Sequence, residues 1–131
     1  MKRTVMVDFD GTITKTDTCV AVANKFCTRG WQGLDEEWAQ GDMSTQTCSE
    51  KLFELMDFDE KRLRSFLKTI EIDDYFAEFI KLCGEKNYDI YIVSDGFDFN
   101  IDTVLRKYEI KDLEIYSNSF YFDDHGNCCS W

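Results

Sequence analysis

The 131-residue chain contains no proline. Its turns must be made by Gly, Asn and Asp. Positive charge is also scarce, with 15 Lys and Arg against 26 acidic residues and a formal net charge of -11. Such a balance repels a polyphosphate backbone, so nucleic acid and anionic membranes are excluded as partners. It leaves room for a small phosphorylated metabolite, because a bound divalent cation inverts the local charge. No segment nears the length of a transmembrane helix, and the apolar run after Met1-Lys2-Arg3 is too short for a signal peptide. The six cysteines then read as reduced thiols of a cytoplasmic protein. The single histidine, His125, lies in an Asp- and Gly-rich turn and reads as solvated.

Apolar residues make up 44% of the chain, including 11 Phe, enough for a packed core. Thr4-Val5-Met6-Val7 reads as a buried strand that breaks at an acidic, Gly-containing loop. From Asp17 to about Ile70 the pattern is helical. Val22 and Phe26 repeat at four, and Leu63, Phe66, Leu67 and Ile70 fit one helical face with Asp59 as N-cap. Arg29–Thr45 between them reads as a looser stretch, with Trp31 and Trp38 packing the helical part. Asp73 or Asp74 is the expected cap of the next helix. Tyr88–Val93 reads as a second buried strand ending at Ser94-Asp95-Gly96. A helix with Ile101, Val104, Leu105 and Tyr108 in register follows. Leu113–Tyr116 reads as a third strand, and Phe120-Tyr121-Phe122 as half of a hairpin.

Strands alternating with helices predict an α/β fold with a parallel sheet. In such sheets the functional crevice lies at the carboxyl ends of the strands. Asp8-Phe9-Asp10-Gly11-Thr12 and Ser94-Asp95-Gly96 both fall there.

Asp8 and Asp10 alternate along an extended segment, so their carboxylates repel unless a cation lies near. A hard, oxygen-seeking ion such as Mg²⁺ suits them. With it, Asp8 could attack phosphorus while Asp10 acts as acid and then base. Gly11 lets the backbone approach a phosphate that Thr12 can bind. A plain strand-end turn would use the same residues. An EF-hand loop starting at Asp8 fails, since its sixth and twelfth positions would be Ile13 and Cys19. Ser94 and Gly96 precede a helix, where amides favour phosphate. A Ser or Asp N-cap is the competing reading there. Asp17 reads as the N-cap of the first helix, within reach of the same crevice.

Asp8-Phe9-Asp10-Gly11-Thr12-Ile13-Thr14 resembles the first motif of the haloacid dehalogenase (HAD) superfamily. Val93-Ser94-Asp95-Gly96 is similar to its second motif. The helical insertion resembles the small cap of the phosphoserine-phosphatase-like branch. Ser94–Asp98 and Asn118-Ser119-Phe120 resemble the methylthiopentenyl-phosphate phosphatases within that branch. The resemblance implies a Rossmann-like core formed by residues 1–16 and 71–131, with a helical cap over 17–70. It implies an Mg²⁺-dependent phosphatase working through an aspartyl-phosphate. Asp8 would be the nucleophile and Asp10 the acid–base, with Asp8 and the Asp10 carbonyl holding Mg²⁺. Thr12, Ser94 and Gly96 would bind phosphate.

The superfamily also places a Lys and an acidic pair after the third strand, and this chain stops at Trp131 before either. The expectation is therefore an incomplete core, whose first strand is an exposed edge that a second copy or a partner covers. The alternative function is a non-catalytic phosphate-binding, metal-binding or interaction module.

Overall fold

The computed structural model describes residues 2–27, 30–126 and 128–130. Strand β1 (Thr4–Val7) runs into a wide turn over Phe9–Ile13. Four helices follow: α1 (Thr18–Phe26), α2 (Gln32–Ala39), α3 (Thr45–Leu55) and α4 (Glu60–Leu67). The chain then alternates through α5 (Phe76–Glu85), β2 (Asp89–Phe97), α6 (Asp98–Lys107) and β3 (Glu114–Asn118). It ends in a hairpin of β4 (Phe120–Phe122) and β5 (Cys128–Ser130).

β1, β2 and β3 form a parallel sheet in that order, so the α/β expectation holds and β1 is an edge strand. Val7 pairs with Ile92, and Ile92 with Ile115. β2 does not stop at Val93. After an irregularity in register it pairs again at Phe97 with Asn118. The second motif is thus held between two paired points rather than hanging beyond the strand.

β1 and β2 were expected to be buried, and this is corrected: they are covered on one face only. α5 and α6 pack against β2, and Ile92 is fully buried. Met6, Val93 and Tyr116 point to the opposite face and are exposed, Met6 by 74%. Among the described residues no element covers that face.

α1 and α4 belong to the same core as the sheet. Val22, Phe26, Leu63 and Leu67 cluster with Phe9, Ile92, Ile101 and Val104. Phe53 of α3 meets Phe97 and Phe120 edge-on, with ring centroids 5.2 and 5.4 Å away. Asp59 caps α4 as expected, accepting from the Arg62 N–H at 2.8 Å.

Two further expectations need correction. The looser stretch contains a helix, α2. Trp31, Leu34 and Trp38 already had helical spacing, with Trp31 buried and Trp38 partly exposed. Neither Asp73 nor Asp74 caps α5. Its cap position is Tyr75, and Asp73 instead closes the preceding turn by accepting from the Tyr75 N–H at 2.8 Å. Among the described residues Cys19, Cys27 and Cys83 are free thiols. Among the described residues no helix is long and apolar enough to cross a membrane.

Candidate active site

The turn after β1 is built by its own sequence. Gly11 sits at φ 74°, a left-handed conformation that glycine adopts without a Cβ penalty. The Thr14 N–H closes the turn on the Phe9 carbonyl at 3.1 Å. The Thr14 hydroxyl oxygen accepts from the Gly11 N–H at 3.0 Å, and its proton goes to the Thr16 carbonyl. Phe9 and Ile13 anchor the turn in the core. Asp8 and Thr12 are left exposed and Asp10 half-buried.

Asp10 meets the second motif directly. The Gly96 backbone approaches so closely that an added Cβ would lie 2.5 Å from Asp10 Oδ2 and 3.2 Å from Ser94 Oγ. Ser94 Oγ accepts from the Gly96 N–H at 3.0 Å, leaving the hydroxyl proton for another acceptor. Asp10, Ser94 and Gly96 are therefore brought together. Asp8 and Thr12 lie in the same turn, on its exposed side.

Burial raises the pKa of Asp10 above the ordinary aspartate range. Hydrogen bonds from Thr18 pull the other way, while the charges of Asp17 and Asp8 raise it further. Burial likewise lifts the Cys19 thiol well above its usual value, assisted by Asp10, Asp17 and Asp95. Asp10, Asp17 and Cys19 each offer a donor atom within 4.8 Å of the others. Among the described residues, no Lys or Arg forms an ion pair with Asp8, Asp10, Asp17 or Asp95.

A cleft of about 140 Å³ opens above Asp10, lined by Asp17, Asp95, Val20, Trp31, Trp38 and Leu52 among others. Both tryptophans line this cleft as well as packing the helices. Trp31 Nε1 donates to Asn24 Oδ1 at 3.2 Å and Trp38 Nε1 to Thr45 Oγ1 at 2.9 Å.

Residues 3–129 match the family described as Putative Phosphatase. The chain belongs to that family. Among its relatives is the 2-hydroxy-3-keto-5-methylthiopentenyl-1-phosphate phosphatase of Brevibacillus brevis. The two are 31% identical over 132 residues, covering 99% of this chain and 60% of that protein. The chain thus spans about 60% of that relative's length. Two solved structures share the fold at low identity. A HAD family hydrolase from Salmonella enterica serovar Typhi is 12% identical with a TM-score of 0.78, over 96% of this chain and 44% of that one. A phosphoserine phosphatase from T. onnurineus is 19% identical with a TM-score of 0.76, over 99% and 63%.

Three residues of this site escaped the sequence reading. Thr18 binds Asp10 with both its N–H, at 2.8 Å, and its hydroxyl. Asn118 Nδ2 donates to the Asp95 carbonyl at 2.8 Å, and Ser119 Oγ to Asp98 Oδ2 at 2.8 Å. The end of β3 thereby braces the loop that carries Ser94 and Gly96. The only signal for the brace was the Asn118-Ser119-Phe120 resemblance, and Thr18 had none.

Proposed function

We propose that the chain is an Mg²⁺-dependent phosphatase that hydrolyses a small phosphate monoester through an aspartyl-phosphate. The observation that carries this reading is the meeting of Asp10 with Ser94 and Gly96, at the carboxyl ends of two adjacent parallel strands.

The donor set fits magnesium. Asp8 and Asp10 offer only oxygen, and the acidic cluster has no ion-pairing Lys or Arg among the described residues. In this reading the Asp8 carboxylate and the Asp10 carbonyl would hold the ion. When bound, magnesium offsets the repulsion between the Asp8 carboxylate and an incoming phosphate.

The exposed Asp8 carboxylate attacks phosphorus, forming an acyl phosphate as the ester P–O bond breaks. Asp10, whose proton affinity is raised by burial, gives its proton to the departing alkoxide. It then takes a proton from the water that hydrolyses the acyl phosphate, restoring Asp8. The Ser94 hydroxyl, with the Gly96 N–H already on its oxygen, donates to a phosphate oxygen, and the exposed Thr12 hydroxyl donates to another. Trp31, Trp38 and Leu52 enclose the leaving group, whose size the cleft keeps small. The first compound to assay is the methylthiopentenyl phosphate named for the Brevibacillus relative.

In the same reading, residues 17–70 form the cap over a core of 1–16 and 71–131. The open edge of β1 is where a second copy or a partner pairs. The free thiols support a cytoplasmic setting.

One observation favours a second reading, a binding module without turnover: no lysine among the described residues pairs with Asp8 or Asp10. The deciding experiment compares aryl phosphate hydrolysis with Mg²⁺ by the chain and by Asp8→Asn. Turnover lost in the variant supports the phosphatase. Equal background rates sink it and leave the binding module.

A further inference from the structure

Thr18 is 1% exposed, at the start of α1. A buried hydroxyl is costly unless it is hydrogen-bonded. Helix capping does not require this one, because Asp17 is the N-cap and accepts from the Val20 N–H at 3.0 Å. The Thr18 hydroxyl points instead to Asp10 Oδ1, and the Thr18 N–H donates to the same oxygen at 2.8 Å.

The two carboxylate oxygens are thus unequal. Oδ1 receives two donors. Oδ2 faces the Gly96 backbone, 2.5 Å from where a Cβ there would lie, on the side of Ser94. With Oδ1 held by the Thr18 N–H and hydroxyl, Oδ2 is the oxygen left open to carry the hydrogen of a neutral Asp10.

We propose that Thr18 is a positioning residue that locks Oδ1 of Asp10 and leaves Oδ2 as the one oxygen that exchanges a proton with the leaving group and then with water. The inference rests on the acid–base reading of Asp10. In the first step the Oδ2–H bond breaks as an O–H bond forms on the departing alcohol. In the second, Oδ2 takes the proton back from water. Because Thr18 belongs to α1, the orientation of the acid and the placement of that helix are one geometric unit.

The test uses the full chain with Thr18→Val, which removes the hydroxyl but keeps shape and N–H, and Thr18→Ser, which keeps the hydroxyl. Thr18→Ala replaces the valine variant should that fail to fold. The value of kcat/KM is measured with Mg²⁺ over phosphate esters of rising leaving-group pKa. Expected is a loss of roughly tenfold or more for an alkyl phosphate, the order of one hydrogen bond to a charged group. Little loss is expected for 2,4-dinitrophenyl phosphate, whose leaving group departs without a proton. Thr18→Ser restores the alkyl phosphate rate. An equal loss across the series overturns the proposal. If the unmodified chain is no faster than Asp8→Asn, the phosphatase reading fails, and crystal structures of the chain and Thr18→Val decide the Thr18 role. Asp10 turning away from Gly96 in the variant supports it. Asp10 unmoved overturns it.

Discussion

The Gly96 backbone lies against Asp10 Oδ2, closely enough that a Cβ on Gly96 would stand 2.5 Å from that oxygen. Asp10 cannot hold its orientation beside any larger residue at position 96. Gly96→Ala is therefore expected to displace the carboxyl and cut turnover by roughly a hundredfold. The stability cost is about 1–3 kcal/mol from overpacking. Phosphate ester kinetics and urea melts of the variant measure both. A fully active Gly96→Ala protein would remove this close approach from the mechanism.

Asp10 also makes stability depend on pH. Burial raises its folded-state pKa above the unfolded value, so the native state holds the proton more tightly. Its stabilising contribution is fully present below the unfolded pKa, about 3.9, and is lost as pH rises through the folded one. Asp10→Asn cannot ionise and escapes that loss. Its melting temperature in the presence of chelator should exceed that of the unmodified chain at pH 7. The gap should close at pH values below the ordinary aspartate range. The opposite order at pH 7 would contradict the assigned direction.

Asn118 reaches 23 residues back to the Asp95 carbonyl. Asn118→Ala should cost about 0.5–1.5 kcal/mol in chemical denaturation. It should also speed amide hydrogen exchange at Asp95 and Gly96, while exchange in α6 keeps its normal protection. Uniform acceleration across the chain would show global destabilisation instead of a loosened loop.

Leu63 is 0% exposed and ties α4 into the common core. Leu63→Ala should cost about 2–5 kcal/mol, read from the shift of the urea midpoint at unchanged slope. A cost below about 1 kcal/mol would place Leu63 at a site able to collapse around the missing atoms.

Much of this was legible locally. The apolar strand before Asp8, the glycine needed at φ 74°, the Asp59 cap and the four-residue spacing of Val22 and Phe26 are all short-range signals. The parallel-sheet rule put the Asp8 and Ser94 motifs on one rim, and the family resemblance added the roles of their residues. What stayed hidden was made by tertiary pairing. The extension of β2 to Phe97 needs Asn118 beside it. Thr18 looked like any threonine following an N-cap until Asp10, eight positions earlier, folded onto it. α2 was misread because its glycine and polar residues masked the spacing of Trp31, Leu34 and Trp38.

The shared core of Val22, Phe26, Leu63 and Leu67 with Phe9 and Ile92 restricts how substrate enters. α1 and α4 cannot hinge away from the sheet as a rigid plate without tearing that core open. α3 is pinned near its end by Phe53 against Phe97 and Phe120. Among the described residues α2 adds nothing to that core, so of the walls around the Asp10 cleft it is the one least tied to the sheet.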